Sequence, residues 1–87
     1  MQNQWDVQLS FSEDGVHTVC EAALVGPRAP GLRGHGESTR SVDDRPLARI
    51  GEELAASRAL EDLSHRLRSQ ADGEIADEGH RPGYLIY

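Results

Sequence analysis

The stretch Trp5-Asp6-Val7-Gln8-Leu9-Ser10-Phe11-Ser12-Glu13-Asp14-Gly15-Val16-His17-Thr18-Val19-Cys20-Glu21-Ala22-Ala23-Leu24 decides the fold. In its first half Trp5, Val7, Leu9 and Phe11 alternate with Asp6, Gln8, Ser10 and Ser12, the period of a strand with one buried face. Asp14-Gly15 tolerates the positive φ angles of a two-residue hairpin turn, and beyond it Val16, Thr18, Cys20, Ala22 and Leu24 alternate again. A loop of Asp14 and Gly15 sets Phe11 opposite Thr18, Leu9 opposite Cys20, Val7 opposite Ala22 and Trp5 opposite Leu24. Both apolar sets then lie on one side of the ribbon, as a consistent register requires. The hairpin is predicted over residues 4–25.

Outward from the hairpin, Val25 to Gly31 holds two prolines and two glycines and reads as a loop. A third strand is predicted over 32–41. Its even positions (Leu32, Gly34, Gly36, Ser38) are mostly small enough for another element to approach closely, and its odd positions (Arg33, His35, Glu37, Thr39) face water. Val42 to Arg49 is a second linker containing Asp43, Asp44 and Pro46, with one helical turn capped by Asp44. A long amphipathic helix follows over 50–72. Ala56, Leu60, Leu63 and Leu67 form its apolar stripe, flanked by Leu54 and Ala71, and Arg58, Glu61, Asp62, His65 and Arg66 occupy the other side. Glu52 and Glu53 fall in its first turn, and Arg66 and Arg68 near its last, in keeping with the helix dipole. Arg58–Asp62 and Asp62–Arg66 are candidate i,i+4 pairs, and Gly73 is placed to stop the helix. The tail, 73–87, ends on Tyr84-Leu85-Ile86-Tyr87, which either docks as an edge strand or frays. The whole chain, 1–87, thus reads as one α+β domain, an antiparallel sheet of three or more strands with one long C-terminal helix packed on one face.

Composition narrows the function. Eighty-seven residues with 37% hydrophobic side chains support one small core. The net charge of −6 comes from fifteen acids and nine bases, all of them arginine, which disfavours a bulk-basic nucleic-acid binder. No run approaches the roughly 18–20 apolar residues that span a bilayer, and the first residues lack a signal-peptide pattern. The expectation is a cytoplasmic protein that uses no membrane. Cys20 is the only cysteine, so an internal disulfide and a cysteine-rich zinc site are excluded.

The order hairpin, third strand, long helix, together with the run Ile50-Gly51-Glu52-Glu53-Leu54-Ala55-Ala56-Ser57-Arg58-Ala59-Leu60-Glu61-Asp62-Leu63, resembles a family of small actinobacterial proteins. That family is a domain of unknown function with a fold similar to the double-stranded-RNA-binding domain (dsRBD-like). Further matches are the Trp5 strand followed by Phe11-Ser12-Glu13-Asp14-Gly15, and Leu32-x-Gly34-x-Gly36 leading towards Asp44. The resemblance covers residues 4–72. It implies an antiparallel sheet with the helix on one face, and no activity. RNA-binding members of the fold place lysines at the start of the last helix, where they meet phosphates. Here that position reads Gly51-Glu52-Glu53, which would repel a phosphate backbone.

The charges divide along the chain. Residues 1–27 carry four acids and no arginine, residues 28–49 carry five arginines against three acids, and residues 50–87 carry four arginines against eight acids. The middle segment is a basic island. Arg28, Arg33, His35, Arg40, Arg45 and Arg49 are therefore candidate contacts for an anion, a nucleic acid or a partner, although solvated arginines balanced by neighbouring acids account for them more simply. Gly31-x-x-Gly34-x-Gly36 lacks the strand before and helix start after that a phosphate loop needs, and the glycines read better as sites of close helix approach. His17 and Cys20 have opposite parity on one strand and cannot share a local site. Cys20 belongs to the core side, and His65 sits four residues after Glu61 as a surface pair. No catalytic residue, metal ligand or cofactor is assigned. One helix covers one face of a three-stranded sheet, so the other face, with Val19, Ala23 and Val25, is expected to be open, as are the strand edges. The expected function is a non-enzymatic interaction or assembly module that pairs with a second copy or another protein. The alternative is nucleic-acid or anion binding through the arginine-rich 28–49 segment.

Overall fold

A computed structural model describes residues 2–40 and 48–78. The elements are strands β1 (Asp6–Glu13), β2 (His17–Val25) and β3 (Arg33–Thr39) and helix α1 (Ala48–Glu78). The strands form an antiparallel meander in the order β1-β2-β3, and α1 packs on β2 and β3, so the α+β architecture is as expected.

The hairpin register differs from the expected one by two residues: Phe11 faces Cys20, Leu9 faces Ala22 and Val7 faces Leu24. Asp14 explains the shift, because it closes the ladder instead of entering the loop. Its amide donates to the His17 carbonyl at 3.2 Å, while its Oδ1 accepts the amides of Val16 at 3.0 Å and His17 at 2.7 Å. Of the two loop residues only Gly15 takes a positive φ, at 95°, so the turn has glycine at its first central position and Val16 at its second. A slip of two preserves parity, and Thr18, Cys20, Ala22 and Leu24 remain on the core face.

β3 is two residues shorter at its far end than expected and one shorter at its start, and its even residues Gly34, Gly36 and Ser38 are buried. A Cβ added to Gly34 would stand 2.6 Å from Leu63 N and 2.8 Å from Leu63 Cβ; one on Gly36 would stand 2.8 Å from the Arg58 carbonyl carbon. The helix therefore rests on the strand backbone itself. Ser38 fixes the near end by donating its hydroxyl to the Gly51 carbonyl at 2.7 Å.

This close approach corrects the apolar stripe of the helix. Ala55, Ala59 and Leu63 are buried against Cys20, Ala22 and Leu24, with Ala56, Leu67, Ala29 and Leu32 at the margin. Leu60 and Leu54, expected on or beside the stripe, are 42% and 46% exposed. Over Gly36 and Ser38 the seam has room only for small residues, so the ridge Gly51, Ala55, Ala59 faces the sheet there, and Leu63 enters at the far end over Gly34.

The helix also begins two residues before Ile50 and continues to Glu78, through the expected stop at Gly73. A glycine inside a helix costs only about 1 kcal/mol, and the turns around it carry two i,i+4 bonds, Arg68 to Asp72 and Gln70 to Glu74, both 3.0 Å. Glu52 and Glu53 consequently occupy the second turn and Arg66 and Arg68 lie well before the end, so the dipole argument does not apply to them. Arg66 pairs with Asp62 at 3.1 Å as expected, but Arg58 reaches the Glu37 carbonyl at 2.7 Å in place of Asp62. The expected Asp44 cap and the ends of the tail and the linker lie outside the described residues, whereas Ala48, Arg49 and 73–78 belong to α1.

Candidate functional site

No described element covers the sheet face away from the helix, but Val19, Ala23 and Val25 on it are only partly exposed. The larger apolar exposure is on the helix side, along β1: Trp5 43%, Val7 44%, Leu9 39% and Phe11 41%. Its cause is the lateral position of α1. Asp62 Oδ2 accepts the His35 amide at 2.8 Å and Arg58 Nη1 donates to the Glu37 carbonyl, so two helix side chains cap backbone groups of edge strand β3. The same His35 and Arg66 hydrogen bonds hold the Asp62 carboxyl below the usual range. Held over one edge, the helix does not cover the other. At 100° per residue, Ala56, Leu60 and Leu67 fall on the helix flank opposite Arg58 and Asp62, the flank that looks towards β1. The result is an apolar step, with β1 as floor and this flank as wall. Trp5 is fixed at its end by an Nε1 hydrogen bond to the Pro27 carbonyl at 3.0 Å.

The opposite sheet face is polar. Glu37 receives two imidazoles, His17 Nε2 on Oε1 and His35 Nε2 on Oε2, each at 2.6 Å. Hydrogen bonding from His35 first and His17 second keeps the Glu37 carboxyl below its ordinary range. Beside it Arg33 Nη1 meets Glu21 Oε1 at 2.8 Å. The His17–Glu37 and Arg33–Glu21 contacts run diagonally across the β2–β3 register, which pairs Val19 with Glu37 and Glu21 with His35, while His35–Glu37 runs along β3. The meeting of His17 and His35 on Glu37 was not read from sequence; its signal is the shared odd parity of the two strands, usable once the register is known.

The candidate arginines separate in space. Arg33 stands at one end of β3 and Arg40 just past the other, about 23 Å of strand apart. Arg33 engages Glu21, Arg40 Nε donates to the Gly15 carbonyl at 2.8 Å, and His35 engages Glu37. Arg28 follows the Gly26-Pro27 turn with a φ of 61°, Arg49 lies in the first turn of α1, and Arg45 falls outside the described residues. Cys20 is wholly buried and burial pushes its thiol up, which makes it a core residue. Among the described residues no group of three His, Cys, Asp or Glu is placed to hold a metal ion. No described helix is long and apolar enough to cross a membrane.

Three meandering strands and one long helix seated on backbone glycines define a class of small α+β proteins with a single sheet and a single covering helix. The chain belongs to the Rv2632c-like family, whose model matches residues 3–83. It is 44% identical over 79 residues to the uncharacterized protein Rv2632c of Mycobacterium tuberculosis strain H37Rv, covering 91% of this chain and 82% of that protein. It is 34% identical over 83 residues to the uncharacterized protein MT1780 of Mycobacterium tuberculosis strain CDC 1551, covering 95% and 87% respectively. The crystal structure of Rv2632c superposes with a TM-score of 0.82 over 94% of this chain and 96% of that one, with 28% identity. The relatives are uncharacterised, so the family supplies architecture and no activity.

Proposed function

We propose that the protein is a non-enzymatic association module whose working surface is the apolar step along β1. The observation that carries this reading is the row Trp5, Val7, Leu9 and Phe11, four large apolar side chains each about two-fifths exposed on the side where the core should continue. Support also comes from the groups an enzyme would use: Cys20 lies beneath the helix, and His17 and His35 are both committed to Glu37. The three-strand and helix order favours likening the fold to the dsRBD-like class. The likeness stops at architecture in this reading, because Glu52 and Glu53 in the second turn of α1 would repel a phosphate backbone laid along the helix. Nucleic-acid binding through the arginine island finds less support, since Arg33 and Arg40 lie at opposite ends of β3.

The test is the apparent native mass of the tagged chain in extract of its source cells, compared with Leu9→Arg. The reading expects a species heavier than one chain that reverts to single-chain mass in the variant. A wild-type chain that elutes alone would remove the reading.

A further inference from the structure

We propose that the step along β1 is regulated from within: the chain's own segment Tyr84-Leu85-Ile86-Tyr87 lies in it, and a partner gains the stripe only by displacing that segment. The proposal rests on the association reading above and adds the control of the same surface. Reach, area and charge each single out this occupant.

Reach follows from the register. Ala55 and Ala59 stand over Gly36 and Leu63 over Gly34, so α1 runs antiparallel to β3 and therefore to β1. Gly34 pairs with Ala22 and Ala22 with Leu9, which puts Leu63 level with Leu9. Glu78 lies fifteen residues further along the helix, about 22 Å past Leu9. Trp5 is about 13 Å from Leu9 in the same direction, so α1 overshoots the Trp5 end of the sheet by about 9 Å. Nine residues, Gly79 to Tyr87, follow Glu78 and lie outside the described residues. Stretched out they span about 30 Å, with Tyr84 about 20 Å from Glu78. Allowing about 10 Å sideways from helix to floor, Trp5 is about 13 Å and Leu9 about 24 Å from Glu78. Tyr84 therefore reaches the start of the stripe and Tyr87 its middle. Gly79 and Pro82-Gly83 are residue types that let a chain turn back.

The area suits a tethered segment. Trp5, Val7, Leu9, Phe11 and Leu60 are 43%, 44%, 39%, 41% and 42% exposed. With side chains of this size offering about 150–250 Å² each, floor and wall leave roughly 400 Å² of apolar surface. That is about half of what each partner buries in a stable complex of separate molecules. Two tyrosines, a leucine and an isoleucine that each turn about half of a similar area onto the step match it. A contact of this size suffices for a segment on the same chain, because a short tether holds it at an effective concentration of about millimolar.

Charge points the same way. Residues 72–78 carry four acids and no base, whereas residues 79–87 carry His80 and Arg81 and no acid. A segment that turns back from Glu78 keeps Arg81 near the acidic end of α1. Beyond it Tyr84 to Tyr87 meet a stripe with no charged side chain from Trp5 to Phe11, since Asp6 falls on the opposite sheet face. The net charge of −6 that repels a second copy does not oppose this contact.

Trp5 is the only tryptophan and Tyr84 and Tyr87 are the only tyrosines, so excitation transfer from tyrosine to tryptophan reports tail against stripe without a label. It is measured on the purified full chain across a hundredfold dilution, beside the double variant Leu85→Asp, Ile86→Asp and the floor variant Leu9→Arg. The expected result is strong transfer at every concentration, falling roughly threefold in both variants, because a flexible tail of this length holds its tyrosines about 20 Å from Trp5. If Leu9→Arg does not fold by circular dichroism, Leu9→Gln serves in its place. Wild-type transfer no stronger than in the double variant overturns the proposal. So does transfer that vanishes on dilution, which would put a second copy's tail on the stripe, and so does transfer indifferent to position 9. In cell extract the double variant should place a larger share of the chain in the heavy species, and an unchanged or smaller share overturns the regulatory role. Weak transfer beside a Leu9-dependent heavy species would leave the association reading standing without the tail, whereas strong transfer in a chain that elutes alone would remove that reading and leave the tail as the stripe's cover.

Discussion

Replacing Gly36 by alanine tests the central claim that the helix rests on bare strand backbone. The added Cβ would stand 2.8 Å from the Arg58 carbonyl carbon and nearer still to Ala55 O and Ala59 N, against an ordinary contact of 3.4–4 Å. All three are main-chain atoms of α1, so no side chain can swing away. The helix must lift by about 1 Å, and a gap of that size forfeits a quarter to a half of each contact's attraction across the seam. Six apolar residues share the seam: Cys20, Ala22, Leu24, Ala55, Ala59 and Leu63. At about 2 kcal/mol for each leucine and about 0.8 for each smaller residue, their burial contributes roughly 7 kcal/mol. The expected loss is therefore about 2–3.5 kcal/mol, a large share of the roughly 4–13 kcal/mol available to a chain of this length. Thermal and urea melts followed by far-UV circular dichroism should show Gly36→Ala melting roughly 10–25 °C below wild type. Gly31→Ala, where a Cβ meets nothing within 4 Å, is the matched control and should melt with the wild type. A Gly36→Ala protein melting within about 3 °C of wild type would refute the backbone-on-backbone seam.

Other expectations follow from the same packing. Leu63→Ala should cost about 2–5 kcal/mol in urea unfolding, because Leu63 is 3% exposed, whereas Leu54→Ala, at 46% exposed, should change stability by less than about 1 kcal/mol. Equal costs would mean that the stripe read from the leucines is the true one. Gly73→Ala, in mid-helix with open space around it, should stabilise the protein by about 0.5–1 kcal/mol; destabilisation would indicate a hidden contact there. Asp14, Glu37 and Asp62 are all held below their ordinary values of 3.8, 4.5 and 3.8. Carboxyls depressed by folding contribute stability above their unfolded values and lose it as pH falls through the folded ones. Urea midpoints should thus be level above about pH 5 and fall below it, and Asp62→Asn should shallow that fall; an unchanged slope would remove Asp62 from the account.

The hairpin, the third strand and the helix were all legible because their signals are local: alternation at period two and a long helical run. The register was not, since Asp14-Gly15 satisfies two turns, and only the bonds from the Val16 and His17 amides to Asp14 choose between them. The glycines at 34 and 36 were readable as points of close approach. Their consequence for the helix is hidden in the sequence, because counting hydrophobic residues favours Leu54 and Leu60 over Ala55 and Ala59, while the space available reverses the ranking. The end at Gly73 failed for a related reason: a single glycine is a weak stop when the pairs Arg68–Asp72 and Gln70–Glu74 span it. As for the candidate surface, the sequence supplied the Trp5 to Phe11 stripe but assigned it to the interior. Its exposure depends on where Arg58 and Asp62 anchor the helix, a long-range matter with no local signature.

Cys20 gives the molecule a built-in clock. It is the chain's single thiol, it is wholly buried, and it faces Gly36 directly across the strand pair, beneath the helix. A thiol reagent in water can reach it only when α1 leaves the sheet, and fraying of the hairpin tip or of the helix end would not admit it. The rate of labelling at one atom thus reports the lifting of that one seam, separately from every other motion of the chain.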